Sequence, residues 1–256
     1  MLSCRWRKSL MKTRKILNFI HNEKGSGMLI LIVGMLMAAI FFSLVFFDFS
    51  SVFINKRVTQ TGADSAALAA AKSSTIFMKE TLREETQEEL DALGKAWEAF
   101  KEAAAGDAGD DEESEEKSEP KSEAELLAEF VEAMEAKYDG RSMPGDIISW
   151  LLDQSVEVEA RTAMEFFFAE KGVRKIACKA VRDNEGDAKA EAEKFAEENQ
   201  NDKVSTLNFI PAEFRYYVVT ERKGEFTTVP DEGVPAISAE SSARIGEPDG
   251  FNIVCD

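Results

Sequence analysis

Histidine is nearly absent. The chain has one, His21, and three cysteines, Cys4, Cys178 and Cys255. A single histidine removes most common catalytic and metal-ligating arrangements, because a Ser-His-Asp triad, a Cys-His pair or a His-rich zinc site all need imidazole near the reaction. Three cysteines exclude a disulfide scaffold and leave at most one intramolecular bridge. Positive charge is also short: 31 Lys and Arg face 48 Asp and Glu, for a net charge of −17. Phosphate recognition needs a basic footprint, so nucleic acid is excluded as a partner of the acidic part. There is no H-E-x-x-H, C-x-x-C, P-loop lysine motif or G-x-G-x-x-G. Paired carboxylates are plentiful, but they sit in charge runs that read as solvated faces. No catalytic residue, cofactor or metal site is assigned, and the protein is read as a non-enzyme.

The charges are unevenly placed. Residues 1–26 carry seven basic side chains against Glu23 alone, about +6, which leaves about −23 for the remainder. Between these regions lies an uncharged run of 21 residues, Gly27 to Phe47, thirteen of which are Leu, Ile, Val or Phe. As a helix rising about 1.5 Å per residue it spans roughly 30 Å, the thickness of a bilayer's hydrocarbon core. A secretory h-region is shorter, about 7–15 residues, and ends at a small-residue cleavage site. Asp48-Phe49-Ser50-Ser51-Val52-Phe53 offers none, so the run is read as a retained anchor. Basic flanks stay in the cytoplasm, which sets the N-terminus inside and everything from about residue 48 outside. For a bacterium this places the protein in the inner (cytoplasmic) membrane. The basic leader then faces anionic lipid.

Small residues recur every four positions in the span, at Gly34/Ala38 and Ala39/Ser43. They recur in the following run GADSAALAAA (Gly62 to Ala71), at Gly62/Ala66, Ala63/Ala67 and Ala66/Ala70. Such spacing lets helix backbones approach closely. Alanine is also the best helix former. The helix is expected to continue to about residue 104, with a weak point near Gly62. Gly34, Ala38, Ala39, Ser43, Gly62, Ala63, Ala66, Ala67 and Ala70 are the candidate packing residues. A generic solvated Ala-rich helix is the alternative for the outer run.

Over residues 18–73 the chain resembles the TadG-like and TadE-like proteins of Tad (Flp-type) pilus assembly. The likeness rests on Asn22-Glu23-Lys24-Gly25, the apolar span, a short polar stalk with Lys56 and Arg57, and GADSAALAAA. It implies a membrane-anchored assembly component, minor pilin-like or TadG-like, whose partners are the membrane and other pilus or secretion-assembly proteins. Pilin-like members are processed after a glycine with a glutamate five residues on. Gly25 would be that glycine here, but Ile30 stands at the glutamate position. Longer members carry a D-x-S-x-S metal loop. The nearest stretch, Asp153-Gln154-Ser155-Val156-Glu157, departs from it and reads as helix.

Further along, Leu90, Leu93, Trp97 and Phe100 make one apolar stripe. Residues 105–123 hold nine acids and nothing apolar larger than alanine, so a disordered linker is expected. The calcium-loop spacing of acidic residues is missing there. Ser122-x-x-Glu125 is a capping box opening a helix that stops at Asp139-Gly140. A third apolar segment starts near Pro144 and is expected to run on through Phe166-Phe167-Phe168. Those three phenylalanines suggest a helix buried on two sides, or a partner interface. Val173 to Arg182 reads as strand or short helix, and Glu185 to Asn199 as an acidic helix. Residues 203–210, 213–221, 226–229, 236–245 and 251–255 read as strands.

The fold class is thus a single-pass membrane protein: a long N-terminal transmembrane and stalk helix, then an α+β extracytoplasmic region with several helices and a small antiparallel sheet. Its segments are 1–26 (leader), 27–47 (span), 48–104 (stalk), 105–123 (linker), 124–172 (helical) and 173–256 (mixed). Cys178 and Cys255 lie outside, where an oxidising compartment permits a bridge; two buried free thiols are the alternative. The competing functional reading is a tethered envelope binding or sensor module unrelated to pili, whose outer strand-rich part would hold a ligand; no small-molecule substrate is evident.

Overall fold

The computed structural model describes residues 26–106, 122–224 and 235–255. The basic leader with His21 and Gly25, most of the acidic linker and the 226–229 strand lie outside the described residues. Helix α1 runs unbroken over Ser26–Gly106, so Gly62 does not interrupt it. The chain divides into two units. Of the described residues, the first holds those up to Arg57 and those between 223 and 237, and the second holds those between Val58 and Arg222 and from Ser238 on.

In the first unit, α1 contains an apolar stretch long enough to cross a membrane, none of which is buried. Its large side chains from Met28 to Ile54 all face outward.

The second unit is built around the remainder of α1. Four further helices follow: α2 (Glu123–Lys137), α3 (Gly145–Leu152), α4 (Ala160–Asp183) and α5 (Glu185–Glu198). Then comes a sheet of order β1-β2-β3, formed by Lys203–Ile210, Arg215–Arg222 and Ile237–Arg244. Strands β1 and β2 pair antiparallel from Lys203↔Glu221 to Ile210↔Arg215, with one irregularity between Val204 and Thr206. They are joined by a short 3-10 turn, Pro211–Glu213. Residues 251–255 form no strand. Phe251, Ile253 and Cys255 are nonetheless core residues, and the Cys255 N–H donates to the Pro211 carbonyl at 3.2 Å.

Two cores line up on successive faces of α1. The first gathers Ala66, Ala67, Ala70, Ala71, Met78 and Leu82 against the end of α4, α5 and the sheet. On α5 the buried residues are Ala188, Ala192 and Ala196, one per turn. Two helices meeting on alanine can pack near the short end of the usual 8–10 Å interaxial range. Strand β2 covers the same core through alternate residues Tyr216, Val218 and Thr220, as period 2 requires. Cys178 and Cys255 are joined by a disulfide, their Cα atoms 5.7 Å apart across 77 positions. In the chain-entropy account, closing such a loop stabilises by about 4–5 kcal/mol.

The second core gathers Leu90, Leu93 and Trp97 of α1 with Phe130, Met143, Ile147, Leu151, Ala163, Phe166 and Phe167. The capping box opens α2: Ser122 Oγ accepts from the Glu125 N–H, and the Ser122 N–H donates to the Glu125 carboxylate. The helix gives way to a turn at Asp139 and Gly140, both at positive φ.

The third apolar segment does not run through to Phe168. It breaks at Asp153–Glu159, and Asp146 Oδ2 spans the break by accepting from the Glu159 N–H (2.8 Å) and the Thr162 hydroxyl (2.9 Å). Helix α4 is itself interrupted at Ala169, with φ 53° and ψ 175°. That single residue re-aims the helix. Phe166 and Phe167 face the second core, Val173, Ala177 and Cys178 face the first, and Phe168 packs against both. Val173 to Arg182 is therefore helix, the part of α4 that follows the interruption at Ala169.

Candidate assembly surface

The candidate packing residues fall into two groups. Gly34, Ala38, Ala39 and Ser43 are exposed on the outer surface of α1. Nothing lies within 4 Å of a side chain built on Gly34, and the Ser43 hydroxyl folds back to donate to the Ala39 carbonyl at 2.9 Å. Ala63, Ala66, Ala67 and Ala70 are fully buried within the second unit. Their partners are the chain's own α5, α4 and sheet, so this stripe is occupied from within.

Polar side chains hold that buried stripe in register at both ends. At one end Asn201, itself buried, donates to the Thr59 carbonyl (3.0 Å) and the Thr220 hydroxyl (2.7 Å). A Cβ on Gly62 would stand 2.1 Å from Asn201 Nδ2, so only glycine admits this clasp. Gln60 Nε2 donates to the Glu240 carbonyl at 3.0 Å. At the other end Ser74 and Tyr216 share a hydrogen bond of 3.0 Å, and Asn184 Nδ2 donates to Ser73 and Ser74. The Gly246 N–H donates to Thr75 Oγ1 at 2.8 Å. These clasps carried no motif. Their only sequence trace is the polar residues flanking an alanine run.

What remains of α1 for another molecule between residues 61 and 77 is a narrow outer strip. Leu68 and Ile76 are 64% and 60% exposed there. With Phe77 on α1 and Phe195 on α5 they border a groove of about 880 Å³. A second cavity, about 550 Å³, lies between α1 near Arg83 and the start of α4 near Arg161. Each of these arginines is already paired, with Glu80 at 2.7 Å and with Glu165 at 2.9 Å.

Surface ion pairs shift Glu80, Arg83, Arg161 and Glu221 only in the direction that favours their charged forms; among the more buried groups two phenols are perturbed by packing. Desolvation, and after it the hydrogen bond that Tyr138 donates to Glu89 (2.9 Å), push the Tyr138 phenol well above its ordinary value. Burial likewise raises Tyr216. Neither faces a cavity with a partner nucleophile or acid. Among the described residues no group of three or more His, Cys, Asp or Glu is placed to hold a metal ion. What the surface offers is apolar contact and helix packing.

No curated protein and no solved structure matches the chain. A family model does match one segment. Residues 25–73, which run from the start of the apolar helix through the buried alanine stripe, match the putative Flp pilus-assembly TadE/G-like family.

Proposed function

We propose that this protein is a membrane-anchored structural component, TadG-like or minor pilin-like, of a Tad/Flp-type pilus or a related secretion system. It acts through protein contacts. The observation that carries this reading is the coincidence of the family match at residues 25–73 with a fully exposed apolar helix. An exposed face of that length has no stable home in water and requires lipid or another apolar surface.

The same reading puts residues 27–47 in the inner membrane, the N-terminus in the cytoplasm and the second unit outside. Two features support the orientation. Basic residues precede the span and are retained on the cytoplasmic side. The Cys178–Cys255 disulfide belongs to an oxidising compartment. Gly34, Ala38, Ala39 and Ser43 are then the positions at which another span packs against the anchor.

The experiment is deletion and complementation in the source organism. Loss of the gene is expected to abolish surface pili and the secretion they serve. The intact chain should restore them, and a version with residues 27–47 replaced by polyleucine should restore membrane localisation without pili. Unchanged piliation in the deletion strain would overturn the proposal and favour a tethered module unrelated to pili.

A further inference from the structure

The exposed apolar surface of α1 does not end where the uncharged run ends. Beyond Phe47, the large side chains Phe49, Val52, Phe53 and Ile54 are still 44–62% exposed. Around them the arrangement expected in water is inverted. Asp48, Ser51 and Asn55 follow one another at steps of three and four, which is one stripe of a helix. Asp48 and Asn55 are buried and Ser51 is half-buried. The Ser51 hydroxyl donates to the Phe47 carbonyl at 3.1 Å, so the helix itself satisfies it without water. On a helix solvated by water the polar stripe faces out and the apolar side faces in. Here the polar stripe is covered and the phenylalanines are not.

Two further observations separate lipid from a protein cover. At about 100° per residue, Phe49, Val52, Phe53 and Ile54 spread over more than half of the circumference of α1. A single packed helix takes a stripe nearer 100° wide. The apolar surface also ends at charges. Lys56 and Arg57 are the first exposed charged side chains along α1. From Ser26 to Lys56 the helix rises about 45 Å, and a bilayer with both headgroup layers measures about 40–45 Å. Long basic side chains lay their stems along apolar surface and carry their heads out of it.

We propose that the outer leaflet of the bilayer covers residues 48–54, so that α1 leaves the membrane at Lys56 and Arg57 rather than after Phe47. Phe49 and Phe53 lie at the boundary between acyl chains and headgroups, and the two basic side chains reach the lipid phosphates. This lengthens the anchor by about two helical turns. It rests on the membrane anchorage proposed above and not on the pilus.

The test uses the full-length chain reconstituted in vesicles of phosphatidylcholine and phosphatidylglycerol. A tryptophan is introduced singly at Phe41, Phe49 or Phe53 and, as a control, at Glu85, which is exposed in the second unit. Its emission, taken as the difference from the parent, is read with lipids brominated near the headgroup or near the chain middle, and with aqueous iodide on both sides. Phe41→Trp is expected to lose most emission to the deep bromines. Phe49→Trp and Phe53→Trp should lose most to the shallow bromines, emit to the blue of Glu85→Trp and respond little to iodide. Glu85→Trp should respond to iodide alone. Closure of the Cys178–Cys255 bridge checks that each variant is folded. Iodide quenching at Phe49→Trp and Phe53→Trp equal to that at Glu85→Trp would end the lipid contact at Phe47 and overturn the proposal while leaving the anchor. Insensitivity of both to every quencher would mean a protein cover and overturn it as well. No lipid quenching even at Phe41→Trp would remove the anchor itself. The expected quenching together with unchanged piliation on deletion keeps the lipid contact and removes the pilus reading; pili lost on deletion with iodide quenching at Phe49→Trp and Phe53→Trp does the reverse.

Discussion

Gly62 shows how much a single missing Cβ can hold together. Its bare backbone lets Asn201 reach the Thr59 carbonyl and the Thr220 hydroxyl in a buried place. Gly62→Ala would gain about 1 kcal/mol in helix propensity. It would also push Asn201 off its partners, and each buried polar group left unpaired costs about 1–3 kcal/mol. We expect a net loss of about 2 kcal/mol, measured as a lower urea midpoint at unchanged slope. A midpoint equal to or above the parent's would show that Asn201 relaxes at little cost. The sequence made close packing at Gly62, Ala63, Ala66, Ala67 and Ala70 legible, because only small residues recur there. It did not say what packs on them. Ala188, Ala192 and Ala196 lie more than a hundred residues away, and an alanine stripe carries no mark of its partner. Enlarging Ala63 or Ala67 therefore perturbs the chain's own core before it reaches any other protein.

At the level of elements, period and caps were readable and breaks were not. The stripe Leu90, Leu93, Trp97, Phe100 and the Ser122–Glu125 box follow local rules. The interruption of α4 falls on Ala169, a residue with no local tendency to break a helix. It separates Phe166 and Phe167, in the second core, from Val173, Ala177 and Cys178, in the first. Residues 251–255 alternate like a strand, yet the disulfide and the core hold them without a ladder. Tertiary contacts also set the behaviour of Tyr138, the residue that follows α2, which lies on Phe166 and Phe167 with ring centroids 5.0 and 5.5 Å away. A phenol whose folded-state pKa is raised keeps its proton after the unfolded chain has lost its own. The stability it contributes is complete below the ordinary tyrosine value, about 10, and fades as pH rises through the folded value. The urea midpoint should therefore hold level up to about pH 10 and drop above it. Tyr138→Phe should flatten part of that drop, leaving the share due to Tyr216 and Tyr217. An equal drop in both proteins would remove Tyr138 from the account.

On the scale of the whole molecule, the second unit contains its own share of α1. Residues 66–82 line the first core and 90–97 the second, so neither core exists without this helix. A chain starting at Val58 should be water-soluble after oxidative folding, unfold in one cooperative transition and show no free thiol. A chain starting at Ser74 lacks six of the buried alanines, the Thr59 clasp and Gln60, and should show no such transition by circular dichroism. Cooperative melting of the shorter chain would contradict the central role given to the alanine stripe. This dual use of one helix was hard to read, because an apolar span and an alanine run suggest a stalk leading to a domain rather than the domain's axis.

The Cys178–Cys255 bridge has a temporal consequence. The first core draws on residues 66–82 and on 243–255, so its two walls are made far apart in time as well as in sequence. If the chain crosses a membrane starting from its amino end, the alanine helix arrives first and waits, its small apolar face uncovered, until residue 255 has been delivered. Contacts of such long range close slowly, and the bridge can seal only after them. The vulnerable interval is thus set by the rate of export. A holding chaperone on the far side of the membrane would act on the waiting helix, and a thiol oxidant would act only at the end.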